Sequence, residues 1–155
     1  MTDRAITNSK QTISKLPAAA AIVALAGLAD SVYLTVHHYT AEPVPCSLIH
    51  GCEMVLTSVY AEIAGIPLAA FGAVAYFAAF SLALLTAFGD KRMWKLFGPL
   101  VIIMACFTGW LIYVQAALIG AFCQFCLISA ATTMILFVLY LISILFNSKT
   151  ARKSG

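Results

Sequence analysis

Charge is what this sequence most lacks. Only 10% of its 155 residues are Asp, Glu, Lys or Arg, while 63% are hydrophobic, where an ordinary soluble domain carries roughly 25% charged and about 45–50% apolar residues. A soluble globular domain is excluded on those numbers, and so is a disordered chain, which would be poor in apolar residues and rich in charge. A nucleic-acid reader needs a basic face, and nine Lys and Arg against six Asp and Glu do not make one. Repeats at a fixed period are also missing, and low complexity is limited to the alanine run Ala18–Ala21. A membrane protein remains, because about 20 apolar residues cross a hydrocarbon core about 30 Å thick. The length suits one domain, 1–155.

Lys and Arg are absent from four long apolar stretches: about Pro17–Val36, Pro67–Phe88, Phe97–Ile119 and Cys123–Phe146. Asp30 is the one charge inside them. Solid apolar runs, rather than the alternation a barrel would need, predict helices, whose backbone groups are bonded within the segment. The predicted fold class is an all-α, four-transmembrane-helix bundle. An A-x-A-like run ending at Ala29 resembles a signal-peptide cleavage site, but apolar sequence resumes at Val32 and suits a retained span. The polar tails, Met1–Ser14 and Asn147–Gly155, are expected to be mobile.

Basic residues set orientation. All nine lie in three places: Arg4, Lys10 and Lys15 before the first span, Lys91, Arg92 and Lys95 between the second and third, and Lys149, Arg152 and Lys153 after the fourth. These places share one side, so both termini are expected in the cytoplasm. The long connection of about residues 37–65, with Glu42, Glu53 and Glu62 but no Lys or Arg, is expected to be exoplasmic, with the short turn at Gly120.

Four of the five cysteines form two close pairs on that exoplasmic side, where disulfides persist. Cys106, in mid-span, reads as a small buried hydrophobe. Cys123-Gln124-Phe125-Cys126 opens the fourth helix. Cys123 falls in the first turn, where free N–H groups and the macrodipole favour a thiolate. Cys126 falls on the same face, roughly 4.5 Å deeper. The spacing alone admits a redox dithiol, a structural disulfide or half of a metal site. Cys46 and Cys52 bracket the short segment Ser47–Gly51, which could close and reopen a disulfide without dragging a helix. A mobile pair beside a fixed pair suits dithiol relay, because exchange passes through a mixed disulfide.

After Cys52, Val55, Val59 and Ile63 recur every four residues, which predicts a short amphipathic helix lying on the membrane surface and stopping at Gly65. It could cap a pocket or simply pack. Zinc is a rival chemistry, since His37, His38 and His50 add to the cysteines. Against it, one pair is spaced by five residues and the other opens a membrane helix. His37 and His38 read as interfacial residues. Asp30 could be structural or functional.

Taken together, Gly27–Leu34 in the first span, the pair Cys46 and Cys52, Cys52–Ser58 followed by Gly65-Ile66-Pro67, and Cys123–Cys126 resemble the vitamin K epoxide reductase family in its bacterial form. The resemblance covers about residues 20–140. It implies a bundle around a quinone, with electrons running inward from an exoplasmic thiol donor. By position, Cys46 is similar to the cysteine that exchanges with a thioredoxin-like partner and Cys52 to the one that attacks the Cys123–Cys126 disulfide. Cys126 is similar to the sulfur that faces the quinone and forms a charge-transfer or covalent adduct. Ser58 falls on a hydroxyl position near the quinone ring, and Phe71 on the pocket wall. Animal members carry an Asn and a Tyr that hydrogen-bond the quinone, at positions that here are Leu68 and Ala130. That departure points away from vitamin K epoxide and towards ubiquinone or menaquinone.

The implied role is a bacterial inner-membrane thiol:quinone oxidoreductase that keeps a separate exoplasmic thioredoxin-like thiol oxidase oxidised, with membrane lipid as its surroundings and no bound metal. Two other classes compete with it: a structural membrane protein stapled by disulfides, and a metal-handling membrane protein.

Overall fold

The computed structural model describes the backbone of residues 2–40, 44 and 51–153, and the side chains of residues 15–40, 44 and 51–146. Helix α1 is Thr2–Thr40, the short α2 is Cys52–Leu56, α3 is Leu68–Ala87, α4 is Lys91–Tyr113, and α5 is Gln124–Lys153. A π-helical segment, Val114–Ile119, continues α4. Among the described residues, four stretches are long and apolar enough to cross a membrane: Lys15–Thr40, Leu68–Ala87, Lys91–Ile119 and Gln124–Phe146. The chain is an all-α, multi-pass membrane protein. The polar tails are not separate from the spans: α1 is helical from Thr2 and α5 to Lys153. Alanine, Lys, Gln and Ser propagate a helix already nucleated by the apolar run at little cost.

Helix α1 packs against α3 and α5, and α4 against α3 and α5, so the four spans close into a ring. The core at their centre pairs small with large side chains. Ala20, Ala21 and Ala24 of α1 meet Tyr76, Ala79 and Ala83 of α3, with Phe97, Val101 and Met104 of α4 and Leu136 of α5. Between helices bathed in lipid there is no water to drive association, and small residues that let backbones approach take over that role. The alanine run thus becomes the packing face of α1. Outward positions such as Ile22, Val74 and Ile103 stay about 70% exposed and apolar, the surface that lipid covers.

At the start of α4, Asp90 caps the helix by accepting the Arg92 N–H at 3.0 Å. Trp94 stacks on Phe97 (centroids 4.6 Å apart, planes at 8°), leans on Tyr140, and donates its indole N–H to Ser143 Oγ at 2.9 Å. This aromatic clamp lies at the end of the bundle away from the C-x-x-C.

The expected amphipathic helix is only partly there. It ends at Leu56, because the hydroxyls of Thr57 and Ser58 donate to the Glu53 and Val55 carbonyls (2.6 and 2.7 Å) and close the last turn. Instead of helix, Glu62–Ile63 (β1) pairs antiparallel with Ile66–Pro67 (β2). The two residues between them, Ala64 and Gly65, both have positive φ, 54° and 79°, which is the signature of a tight primed hairpin turn. Val59, expected on the packed face, is 86% exposed.

Candidate active site

Two compartments lie at the C-x-x-C end, and the motif straddles them. The first is a buried cluster of Cys52, Val55 and Cys123, with Leu56, Ile119, Ala121, Phe125 and Cys126 packed around it. Gly51 makes this approach possible, since a Cβ there would run into the Phe122 carbonyl. The outer α2 therefore sits directly on the turn that leads to Cys123. Cys52 is disulfide-bonded, while Cys106, Cys123 and Cys126 are free thiols. Cys106 is exposed on the helix surface rather than buried as expected. Cys46 lies outside the described residues.

Cys123 is placed by its backbone. The π segment ends at Gly120 in the left-handed region (φ 68°). Gln115 then holds the turn twice: its main-chain carbonyl accepts the Ala121 N–H at 3.2 Å, and its side-chain Oε1 accepts the Cys123 N–H at 3.0 Å. Cys123 is the N-cap of α5 rather than a first-turn residue, its carbonyl accepting the Leu127 N–H at 3.0 Å. An N-cap side chain receives the otherwise unpaired N–H groups of the first turn. Here the cap atom is sulfur. The Cys126 thiol donates to it, and the N–H groups of Cys126 and Phe125 add to that, holding the Cys123 thiol below the usual cysteine range, at about 7, against the opposing effect of burial.

The second compartment is a cavity of about 310 Å³ between the helices, within the size range of small-molecule sites. Cys126 lines it, as do Ser58 and Phe71. Leu68 and Ala130 line it too, so that wall carries no polar group at either position. Cys123 and Cys52 are not among its lining residues. The C-x-x-C thus straddles the two: Cys123 belongs to the outer cluster, whereas Cys126 packs against that cluster and also lines the cavity. Ser58 is close by, but its hydroxyl hydrogen is committed to the Val55 carbonyl.

A family model, the vitamin K epoxide reductase family (VKOR), matches residues 18–141, a stretch that takes in both cysteine pairs and almost all of the four spans. The chain belongs to this family. VKOR proteins are oxidoreductases of the membrane, and this chain is a membrane redox enzyme of that kind.

Several groups at this VKOR site escape sequence reasoning. Gln115 is one amide near the end of an apolar helix, and only its position eight residues before Cys123 hints at a clamp. Tyr76 is buried mid-span, with its hydroxyl 2.6 Å from the Ser129 carbonyl, 2.7 Å from Thr133 Oγ1 and 3.0 Å from Ser129 Oγ. At the mouth, His38 Nε2 is 3.1 Å from Glu62 Oε1, tying α1 to the hairpin, and the Tyr33 ring bridges His37 and Phe125. Asp30 Oδ2 is cut off from solvent without a hydrogen-bond partner. Among the described residues, no three His, Cys, Asp or Glu side chains converge as a metal site would require.

Proposed function

We propose that this chain is a thiol:quinone oxidoreductase of a bacterial cytoplasmic membrane. It reoxidises a separate exoplasmic thioredoxin-like thiol oxidase and so supports disulfide formation. The observation that carries this reading is the division of the C-x-x-C: Cys123 packs with Cys52, while Cys126 lines the cavity. In this reading both termini lie in the cytoplasm, the side that the basic residues at the spans' ends favour.

The cavity suits a quinone head group. Its walls are mostly apolar and include Phe71, and they carry a few hydroxyls along with Cys126. That is the composition expected of a site that holds a flat apolar ring and orients its polar atoms. When bound, the quinone supplies the electron-accepting chemistry.

The chain's own residues perform the exchange. A partner dithiol reduces the Cys46–Cys52 disulfide and is itself oxidised. The Cys52 thiolate then attacks the Cys123 sulfur of a Cys123–Cys126 disulfide, forming the Cys52–Cys123 bond and releasing Cys126 as thiolate. Cys46 attacks Cys52, which re-forms the outer disulfide and releases Cys123. The outcome is an outer disulfide and an inner dithiol. Two electrons and two protons leave that dithiol for the quinone, and the inner disulfide returns. Because thiolate is the reactive form, the sulfur-directed hydrogen bonds at Cys123 make it a good leaving group when Cys46 attacks.

The test uses purified, detergent-solubilised protein, a reduced dithiol donor and a soluble quinone, following quinone absorbance. The wild type reduces the quinone, and Cys126→Ser does not. Failure of the wild type with every quinone tried would replace this reading with that of a disulfide-stapled structural protein.

A further inference from the structure

A quinone has two carbonyl oxygens, each a hydrogen-bond acceptor that gains negative charge on reduction. A pocket that orients the ring must offer at least one donor. Leu68 and Ala130 offer none, and the Ser58 hydrogen is already given to Val55. The donor must come from elsewhere in the lining.

The hydroxyl cluster of Tyr76, Ser129 and Thr133 can be assigned by counting hydrogens. The Ser129 carbonyl can only accept, so the 2.6 Å contact with it uses the single hydroxyl hydrogen of Tyr76. The contacts at 2.7 Å to Thr133 Oγ1 and 3.0 Å to Ser129 Oγ must then be donated by Thr133 and Ser129, filling the two lone pairs of Tyr76 Oη. Of these two, the Ser129 bond is the longer. Its hydrogen can be redirected while Thr133 keeps the buried Tyr76 oxygen satisfied.

Ser129 also differs from several other helical hydroxyls of the spans. Thr35, Ser81, Thr86 and Thr132 each donate to the carbonyl four residues back, the usual resting place of such a group. Ser129 instead pairs across to α3. It stands three residues after Cys126, on the same face of α5, and both residues line the cavity.

We infer that Ser129 donates the hydrogen bond that holds a quinone carbonyl oxygen beside the Cys126 sulfur, with Tyr76 and Thr133 as positioning residues. This rests on the cavity's being the quinone site, as proposed above. It assigns to Ser129 the donor role that animal relatives are expected to fill from the positions occupied here by Leu68 and Ala130. A neutral donor in an apolar pocket gains strength as the oxygen acquires charge, so its removal should slow reduction more than it weakens binding.

The test pairs kinetics with infrared spectroscopy of a bound short-chain ubiquinone carrying ¹³C at its carbonyls. In the wild type, one carbonyl band lies below its position in an apolar solvent. In Ser129→Ala that band moves back up, kcat for quinone reduction falls on the order of 10- to 100-fold, and exchange between the outer and inner cysteine pairs keeps its wild-type rate. Ser129→Thr, which keeps a hydroxyl, recovers most of the activity. An unchanged band and rate in Ser129→Ala would overturn the assignment while leaving the proposed function standing. If Ser129→Ala does not fold, the wild type alone decides: two carbonyl bands at their apolar-solvent positions overturn it. A wild type that neither binds nor reduces the quinone would overturn the proposed function, and this assignment with it.

Discussion

The side chain of Gln115 holds the backbone of Cys123: Oε1 accepts the cysteine N–H at 3.0 Å, both groups being buried. Eight residues separate them, and the π segment and left-handed Gly120 between them are what turn the chain back far enough for them to meet. An amide near the end of one span thereby fixes the cap of the next, and with it the direction in which the Cys123 sulfur points.

Gln115→Leu should therefore leave a buried N–H without an acceptor, at a cost of about 1–3 kcal/mol. Gln115→Glu keeps an acceptor and should lose less. Unfolding of the reduced protein in mixed micelles, compared across the three chains, checks the ranking.

A thiol held at about 7, below the ordinary value of about 8.5, ionises within the physiological range. Thiolate absorbance of reduced Cys46→Ala/Cys52→Ala/Cys106→Ala protein, which leaves the inner pair, should rise through pH 7. With Cys126→Ala added to these three substitutions the main donor to the Cys123 sulfur is gone, and the inflection should move up. The linkage has a definite sign: a lowered thiol pKa stabilises the folded state above about pH 8.5, and that contribution fades as pH falls through 7. Relative to Cys123→Ala, the reduced protein should lose stability over that window on acidification.

Asp30 opposes the Cys123 thiolate by charge. Asp30→Asn removes that repulsion and should shift the same inflection down by a small amount, the opposite direction to Cys126→Ala. An upward shift in the absorbance titration would contradict this placement of the carboxylate.

Gly27 allows the Tyr76 ring to lie against α1, where any Cβ would overlap it. Gly27→Val should destabilise the bundle by about 1–3 kcal/mol, the usual penalty for overpacking. Because Tyr76 carries the bonds to Ser129 and Thr133, quinone reduction should fall as well. Thermal unfolding and quinone turnover, measured on the same preparation, should both decline, whereas Ile22→Val on the lipid-facing surface should change neither.

The spans were legible because hydrophobic runs of this length have one structural outcome in lipid, and the opening of α5 at the C-x-x-C followed from a short turn between two of them. The outer segment was misread for a physical reason. Val55, Val59 and Ile63 have helical spacing, yet Thr57 and Ser58 turn their hydroxyls onto the preceding carbonyls and stop the helix. The two-residue hairpin at Ala64 and Gly65 then uses positive φ at an alanine, which composition does not announce. The Tyr76 cluster joins residues 53 and 57 positions apart, and a single sequence carries no signal of which helix faces which. Gln115 acts through one hydrogen bond whose partner is decided by the π turn.

The aromatic clamp of Trp94, Phe97, Tyr140 and Ser143 gives the bundle a fulcrum. From Trp94 to Ile119 the helix is a lever of about 37 Å at 1.5 Å per residue, so a tilt of about 2° about the clamped end carries the far end through about 1 Å. Any small rocking at the base would be magnified where the cysteines sit, so the sulfur-to-sulfur approach that the proposed exchange demands could be met by leaning the helices, with the packing at their feet left intact.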